Sequence, residues 1–200
     1  HSWHLALMCF VLAEYSNEPI DVLKTMKMVI MHDVIEIDAG DTYAYDTEGN
    51  KTKRERELRA AERIYAILPD EQAKEYRALW DEFEEMETPE AKFANVLDKL
   101  QPLLLNAATN GIAWEEHGIK ASQVLRRNAR VHEGSEALWE YARALIQRNV
   151  DEGHLIDGGT RVVRSHGRYG LGFRCPKTRF SGQSCDNFQM LFFTNMEESS

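Results

Sequence analysis

Cysteine and proline are scarce in this 200-residue sequence, which contains three of the former and five of the latter. Cys9 falls within an apolar helical pattern, where a small buried hydrophobe is the expected role. Cys175 and Cys185 are too few and too isolated to define a disulfide framework. The sequence therefore predicts reduced thiols and a cytoplasmic location.

Long apolar runs and excess positive charge are also missing. Charged residues interrupt every apolar segment, so the sequence predicts no membrane-spanning helix. Lys and Arg number 24 against 33 Asp and Glu, a formal net charge of -9, which argues against a binder of nucleic-acid polymers because those carry a basic face. The chain lacks the basic start and apolar centre of a signal peptide. Because it begins abruptly at His1, we expect the true start to lie upstream.

Apolar residues at helical spacing predict an all-α fold for residues 1–156. Trp3, Leu7, Met8, Val11 and Leu12 mark a first helix over 1–15. A second helix opens at Pro19, runs through His32-Asp33 with Leu23, Met26, Ile30 and Val34 along it, and breaks at 38–41. The remaining predicted helices cover 51–68, a shorter segment after Pro69, a segment from Thr88-Pro89 to Asn110-Gly111 with a kink at Pro102, then 120–131 and 135–150.

Residues 157–200 differ in composition from the preceding part. Glycines are scattered, helical periodicity disappears and no convincing alternation of a strand replaces it. We expect this segment to be an irregular tail, poorly packed or disordered and of non-native origin, following a domain that covers 1–156.

His32 and Asp33 stand side by side after an apolar stretch. Neutral imidazole and carboxylate are good ligands for a divalent metal, and both are costly inside an apolar helix. Glu36 lies three and four residues beyond them, on the same face of the predicted helix. Each residue also has an ordinary interpretation: His1 as a solvated terminus, Asp98 beside Lys99 as half of a surface ion pair, and the His-Asp pair as an accident of composition.

The ordered set His1, His32-Asp33 and Asp98 resembles the HD-domain metal-dependent phosphohydrolase superfamily. The motifs His1-Ser-Trp, His32-Asp33-x-x-Glu36, Gly40-Asp41 and Glu90-Ala-Lys-Phe-x-x-x-Leu-Asp98-Lys99 resemble more narrowly its small 5′-deoxynucleotidases. The resemblance covers residues 1 to about 156 and implies an all-helical bundle. It further implies a divalent metal, hydrolysis of deoxynucleoside 5′-monophosphates and a homodimer.

Carried over residue by residue, this resemblance makes His1, His32, Asp33 and Asp98 the metal ligands. Glu36 and Asp41 match the acidic residues that act on the water and on the leaving hydroxyl. The family's upstream segment, which carries a phosphate-binding arginine, is absent because the chain begins at His1, and we expect an N-terminally truncated domain. No histidine falls between Asp33 and Asp98, whereas dinuclear members supply additional histidines there, so we expect one metal ion (Mn, Co, Fe, Mg or Zn).

Two other functions remain open from the sequence. An alarmone-type pyrophosphohydrolase is disfavoured because such enzymes commonly place Glu-Asp after His-Asp-x-x, whereas Ile37 follows Glu36 here. The second alternative function is a binding domain that a metal stabilises and that has no catalytic turnover. Outside the six site residues, substrate contacts are unassigned: Arg54 and Arg56 are candidate phosphate contacts, and Tyr43, Tyr45, Trp80 and Trp114 are more typical of a core than of a base-stacking platform.

Overall fold

The computed structural model describes residues 1–159, which form a helical bundle. The described residues contain no strand, only an isolated parallel bridge between Lys120 and Ile156. The predicted all-α fold is therefore confirmed for this part of the chain. Its ten α-helices are α1 (Ser2–Leu12), α2 (Val22–Met31), α3 (Glu36–Ala39), α4 (Gly49–Tyr65), α5 (Asp70–Glu85), α6 (Pro89–Ala108), α7 (Ile112–Glu116), α8 (Ala121–Arg127), α9 (Val131–Gly134) and α10 (Glu136–Asp151).

Helix α6 runs through the centre of the bundle and packs against α1, α2, α5, α9 and α10. Its start follows the sequence prediction, because the Thr88 hydroxyl accepts a hydrogen bond from the Ala91 amide at 3.2 Å and Pro89 occupies the first turn. Pro102 lies inside a helix that continues to Ala108, so the proline does not end α6. A proline ring leaves one carbonyl of the preceding turn without its amide partner, a loss that the surrounding packing tolerates.

Helix α1 buries only part of the face that the apolar spacing marked, including Met8 and Leu12, and α2 buries a different face. On α1 the buried side chains include Leu5, Met8, Cys9 and Leu12, whereas Trp3 is 80% exposed. On α2 the buried residues are Thr25, Met28 and Val29, and Leu23 is 63% exposed. Apolar residues occupy more than one face of each helix, so periodicity alone could not select the face that meets α6.

Cys9 confirms its predicted role as a small buried hydrophobe. Its side chain is fully buried between α1 and the start of α2, where the thiol lies 3.7 Å from the Val22 carbonyl. Burial raises the pKa of this thiol to about 11, so it stays protonated at neutral pH.

A second, smaller core lies beneath the segment between α2 and α4. Ile35 and Ala39 pack there against Ala60, Ala61, Tyr65 and Trp80 from α4 and α5. The Tyr65 hydroxyl donates a hydrogen bond to the Met31 carbonyl at 3.2 Å, at the end of α2. This cluster fixes α3 and the preceding turn against α4.

Residues 160–200 lie outside the described part, and with them almost all of the predicted irregular tail. Within the described part, none of the helices combines the length and the apolar character that crossing a bilayer requires.

Candidate active site

Three segments that are distant in sequence bring four of the predicted residues together beside the middle of α6. His1 precedes α1, His32 and Asp33 follow α2, and Asp98 lies in α6. His1, His32 and Asp33 offer ligand atoms that all lie within 4.8 Å of one another. Asp98 Oδ1 lies 3.2 Å from His1 Nε2 and 3.6 Å from His32 Nε2. The set of two imidazoles and two carboxylates therefore converges on one small volume.

The His32-Asp33 pair lies in a turn rather than within a helix, which corrects the predicted continuous second helix. Helix α2 ends at Met31, and the Val34 amide then bonds the Met31 carbonyl at 3.2 Å. The Glu36 amide likewise bonds the Asp33 carbonyl at 2.9 Å before α3 begins. These bonds span three residues, which tightens the backbone relative to an α-helix. Glu36 reaches the site from the start of α3, so the predicted shared helix face is not what aligns it.

His32 presents one ring nitrogen to the cluster and holds the other against the backbone. Its Nδ1 lies 2.9 Å from the Val29 carbonyl, which can only accept, so Nδ1 carries the proton in the neutral ring. Nε2 is buried and makes no hydrogen bond of acceptable geometry, although Asp33 Oδ1 is 2.9 Å away. In the neutral ring this buried nitrogen carries the free electron pair, and with two carboxylates beside it, it has the chemistry of a metal ligand. The residues present thus fit a divalent ion.

Gln101 orients His1 in a corresponding way, and sequence reasoning missed it. Its side-chain oxygen lies 2.9 Å from His1 Nδ1, which leaves His1 Nε2 directed at the carboxylates of Asp98 and Asp33. The Gln101 amide nitrogen contacts His4 Nδ1 at 3.1 Å. The only signal in the sequence was the position of Gln101 three residues after Asp98, hence on the same face of α6.

The carboxylates raise the pKa values of both histidines. For His1 the hydrogen bond with Asp98 is the largest contribution and outweighs burial. Burial of His32 lowers its pKa, but Asp33 and Asp98 together outweigh burial and raise it to about 10. The pKa of Asp98 is held well below its usual range: burial opposes this, and contact with His1 and His32 overcomes it. Lys99 also lowers the pKa of Asp98, because its ammonium group lies 3.2 Å from Asp98 Oδ2.

Glu36 and Asp41 flank this cluster. Glu36 is half-buried, and burial together with the charges of Asp33 and Asp41 raises its pKa to about 7. A carboxyl group with a pKa near neutrality can both take up and release a proton under physiological conditions. Asp41 follows Gly40, which ends α3 with a positive φ of 75°, and its carboxylate lies close enough to Glu36 to influence that pKa.

Helices α4 and α5 place ion-paired side chains near Glu36, which the sequence did not assign to the site. Lys53 lies 3.3 Å from the buried carboxylate of Glu57 and acts electrostatically on both Glu36 and Glu84. Burial raises the pKa of Glu84, and the neighbouring Glu57 raises it further. In the sequence this stretch of α4 resembles any solvated charged helix, because only the tertiary fold shows which charges face inward.

The other candidate substrate contacts have different roles. Arg54 donates to Glu84 at 2.8 Å and lies 5.1 Å from the ring centre of Trp80. Trp80 and Trp114 are buried, which confirms their interpretation as core residues. Arg56 donates to the Ala39 carbonyl and the Thr42 hydroxyl on either side of Asp41.

The chain matches known proteins in sequence and in structure. A model of the HD domain family matches residues 1–139. The crystal structure of a "predicted metal-dependent phosphohydrolase" from Magnetospirillum magnetotacticum MS-1 is 46% identical, with a TM-score of 0.73 over 78% of this chain and 80% of that one.

Curated relatives carry the name 5′-deoxynucleotidase HDDC2. The human protein is 29% identical over 104 residues, which are 52% of this chain and 50% of the human one. The Dictyostelium discoideum protein is 32% identical over 109 residues, 52% of this chain and 57% of that protein. The chain thus spans about half the length of the curated relatives that it matches. Since the family model covers more than half of the sequence and the helical bundle agrees with it, this chain belongs to the HD domain family.

Proposed function

We propose that this protein is a metal-dependent phosphomonoesterase that hydrolyses deoxynucleoside 5′-monophosphates to nucleoside and phosphate. The observation that carries the proposal is the convergence of His1, His32, Asp33 and Asp98, with the near-neutral carboxyl group of Glu36 beside them. The names of the relatives, a metal-dependent phosphohydrolase and 5′-deoxynucleotidases, support the same class of reaction.

His1 Nε2, His32 Nε2 and the carboxylates of Asp33 and Asp98 would hold the ion. A divalent cation there supplies Lewis-acid polarisation of a phosphoryl oxygen and makes water more acidic. The remaining steps belong to side chains of this protein. Val29 and Gln101 keep the two imidazoles in the tautomer that offers Nε2.

Glu36 is the proposed acceptor of the proton from the attacking water, because its pKa of about 7 suits proton transfer near neutrality. Asp41 is the proposed partner of the leaving 5′-oxygen. Water adds to phosphorus, the P–O bond to the nucleoside breaks, and the leaving oxygen gains a proton, so that the products are a nucleoside and phosphate. Lys53, on α4, pairs with Glu57 and also acts electrostatically on Glu36. It adds positive potential beside the Glu36 carboxyl group.

The mixed nitrogen and oxygen ligand set supports one ion of Mn, Co, Fe, Mg or Zn. A cytoplasmic setting is also part of the proposal. So are a homodimeric state and a domain that covers residues 1–156.

The proposal is tested with the full chain, loaded in turn with Mn²⁺, Co²⁺, Mg²⁺ or Zn²⁺, by measuring phosphate release from dAMP. Glu36→Gln should lower kcat by about 100-fold or more, because a general base contributes about 10²- to 10⁴-fold. Its metal content and melting temperature should stay near those of the parent. Glu71→Gln is the matched control, since the Glu71 side chain is 92% exposed on α5.

Three outcomes would contradict the proposal. Stoichiometric metal binding without phosphate release from any nucleoside monophosphate would indicate a metal-stabilised binding domain. Turnover of guanosine tetraphosphate in preference to dAMP would indicate a pyrophosphohydrolase. Unchanged kcat in Glu36→Gln would remove the assigned role of that residue.

A further inference from the structure

Arg56 bonds the chain on both sides of Asp41. Its guanidinium group donates to the Ala39 carbonyl, to the Thr42 hydroxyl at 2.7 Å and to the Gly49 carbonyl at 3.2 Å. Ala39 and Thr42 bracket Gly40 and Asp41 in the sequence. One side chain on α4 thus bonds residues 39, 42 and 49, which lie before, just after and at the far end of the segment that carries Asp41, the proposed partner of the leaving oxygen.

The surroundings make this attachment rigid. Arg56 is half-buried, and the next turns of α4 contribute Ala60 and Ala61 to the small core under Ile35 and Ala39. Seven residues further along α4, Arg63 makes a two-pronged ion pair with Asp38, whose second bond is 2.6 Å long. Helix α3 and its exit are therefore held against α4 at two points. The Asp41 side chain itself is exposed, so it owes its placement to the backbone on either side.

We propose that Arg56 is a positioning residue, which holds Asp41 against the leaving group by fastening the Gly40–Thr42 backbone to α4. This inference rests on the proposed phosphomonoesterase function. The proposed role of Arg56 is indirect: its bonds to Ala39, Thr42 and Gly49 act on catalysis through Asp41. Three acceptors around one planar guanidinium group use the fork of donors that only arginine has, and the compact ammonium group of lysine cannot reach all three.

The experiment measures kcat and KM for dAMP hydrolysis by the metal-loaded full chain in Arg56→Gln, Arg56→Lys, Asp41→Asn and Arg56→Gln/Asp41→Asn. Arg59→Gln is the control, because Arg59 is 67% exposed one turn along α4 and pairs only loosely, at 3.6 Å, with Glu55. Hydrogen–deuterium exchange of the peptide spanning residues 40–49, compared with that spanning 22–31, gives a readout that does not depend on turnover.

We expect Arg56→Gln to lower kcat by about 10- to 100-fold with a smaller change in KM, as for a displaced catalytic group. Arg56→Lys should recover only part of this loss. When Asp41 is already replaced by Asn, adding Arg56→Gln should lower kcat little further. Both changes remove the contribution of a correctly placed Asp41 carboxylate. Exchange should rise in residues 40–49 and stay unchanged in 22–31, with metal content equal to that of the parent.

Two results would overturn the inference. Fully additive effects of Arg56→Gln and Asp41→Asn would show that Arg56 does not act through Asp41. Unchanged exchange in residues 40–49 would show that Arg56 does not hold this segment, whether or not the parent turns over dAMP. An inactive parent protein would instead refute the proposed function itself, and the positioning role with it.

Discussion

Gln101 shows how a neutral side chain can orient a proposed metal ligand, His1. It accepts from His1 Nδ1 and contacts His4 through its amide nitrogen, so one residue fixes the ring of His1 from the side opposite to the cluster. An imidazole that binds metal through one nitrogen usually needs such a partner on the other, and the partner also raises the ligand's basicity.

Replacing Gln101 by Leu should therefore weaken metal binding by about 10- to 100-fold. Leucine keeps the volume and the helix propensity but offers no acceptor to His1 Nδ1. Isothermal titration with Mn²⁺ measures the affinity, and Gln72→Leu on the exposed face of α5 is the control. An affinity equal to that of the parent would show that the ring of His1 needs no support from α6.

The spacing of His1, His32, Asp33 and Asp98 could be read from the sequence because each residue type is itself suited to a metal. Gln101, Lys53 and Arg56 could not be found in that way, since glutamine, lysine and arginine are ordinary on solvated helices. Their roles depend on which atoms they meet in the fold: the Nδ1 of His1, the carboxylate of Glu57 and the backbone around Asp41.

At the scale of the secondary structure elements, the junction of α5, α6 and α2 shows how caps join helices. The Thr88 hydroxyl accepts from the Ala91 amide and donates to Glu82 at 2.6 Å. Glu82 in turn accepts from Lys24 of α2 at 2.7 Å. Glu90, in the first turn of α6, accepts from the amide of Asp21 at the start of α2. The start of α6 thus ties three helices together.

Thr88→Ala should lower the free energy of unfolding by about 1 kcal/mol, since it removes the N-cap acceptor of α6. Thr88→Ser keeps the hydroxyl and serves as the matched control, with a loss smaller than that of alanine. Urea denaturation of the metal-free proteins measures both. Equal destabilisation by alanine and serine would assign the effect to the lost methyl group instead of the cap.

The start of α6 was predictable because Thr88-Pro89 is a local signal that needs no tertiary contact. The end of α2 was not. The apolar pattern continues through Val34 and Ile35, and the helix nevertheless ends at Met31 because Ile35 packs into the small core with α4 and α5. Helix α7 was missed for a related reason: five residues give too little periodicity to recognise.

At the scale of the whole molecule, the proposed binding of a metal ion is thermodynamically linked to folding. An ion that binds only the folded chain stabilises it by about 2.7 kcal/mol at a concentration 100 times its dissociation constant. Binding requires both imidazoles to be unprotonated at Nε2, and the carboxylates raise the pKa of His1 and of His32, the latter to about 10. Metal and protons therefore compete for the same atoms.

The sign of the resulting pH dependence follows from these shifts. Without metal, the protonated His32 gives stability that is full below its ordinary pKa near 6.5 and is lost as the pH rises toward 10. Metal affinity should instead increase with pH, because fewer protons must be displaced from His1 and His32 at higher pH. The increase in melting temperature on adding Mn²⁺, relative to chelator, should grow between pH 6 and pH 9.

Titration calorimetry in buffers of different ionisation enthalpy should show net proton release on metal binding at neutral pH. Glu71→Gln, far from the cluster in sequence, should release the same number of protons as the parent. Binding that is independent of pH would show that His1 and His32 are not ligands.

The sequence separation of 97 residues between His1 and Asp98 has a consequence for how the protein folds. His32 and Asp33 are placed by a local turn, but their partners arrive only when α1 and α6 have closed around α2. We expect such distant contacts to form late, because the chain loses loop-closure entropy before these contacts stabilise it. The turn after α2 alone offers the ion two of the four proposed ligands, so the complete ligand set requires both α1 and α6 in place. Release of either helix should remove one proposed ligand, His1 with α1 or Asp98 with α6, and so weaken metal binding.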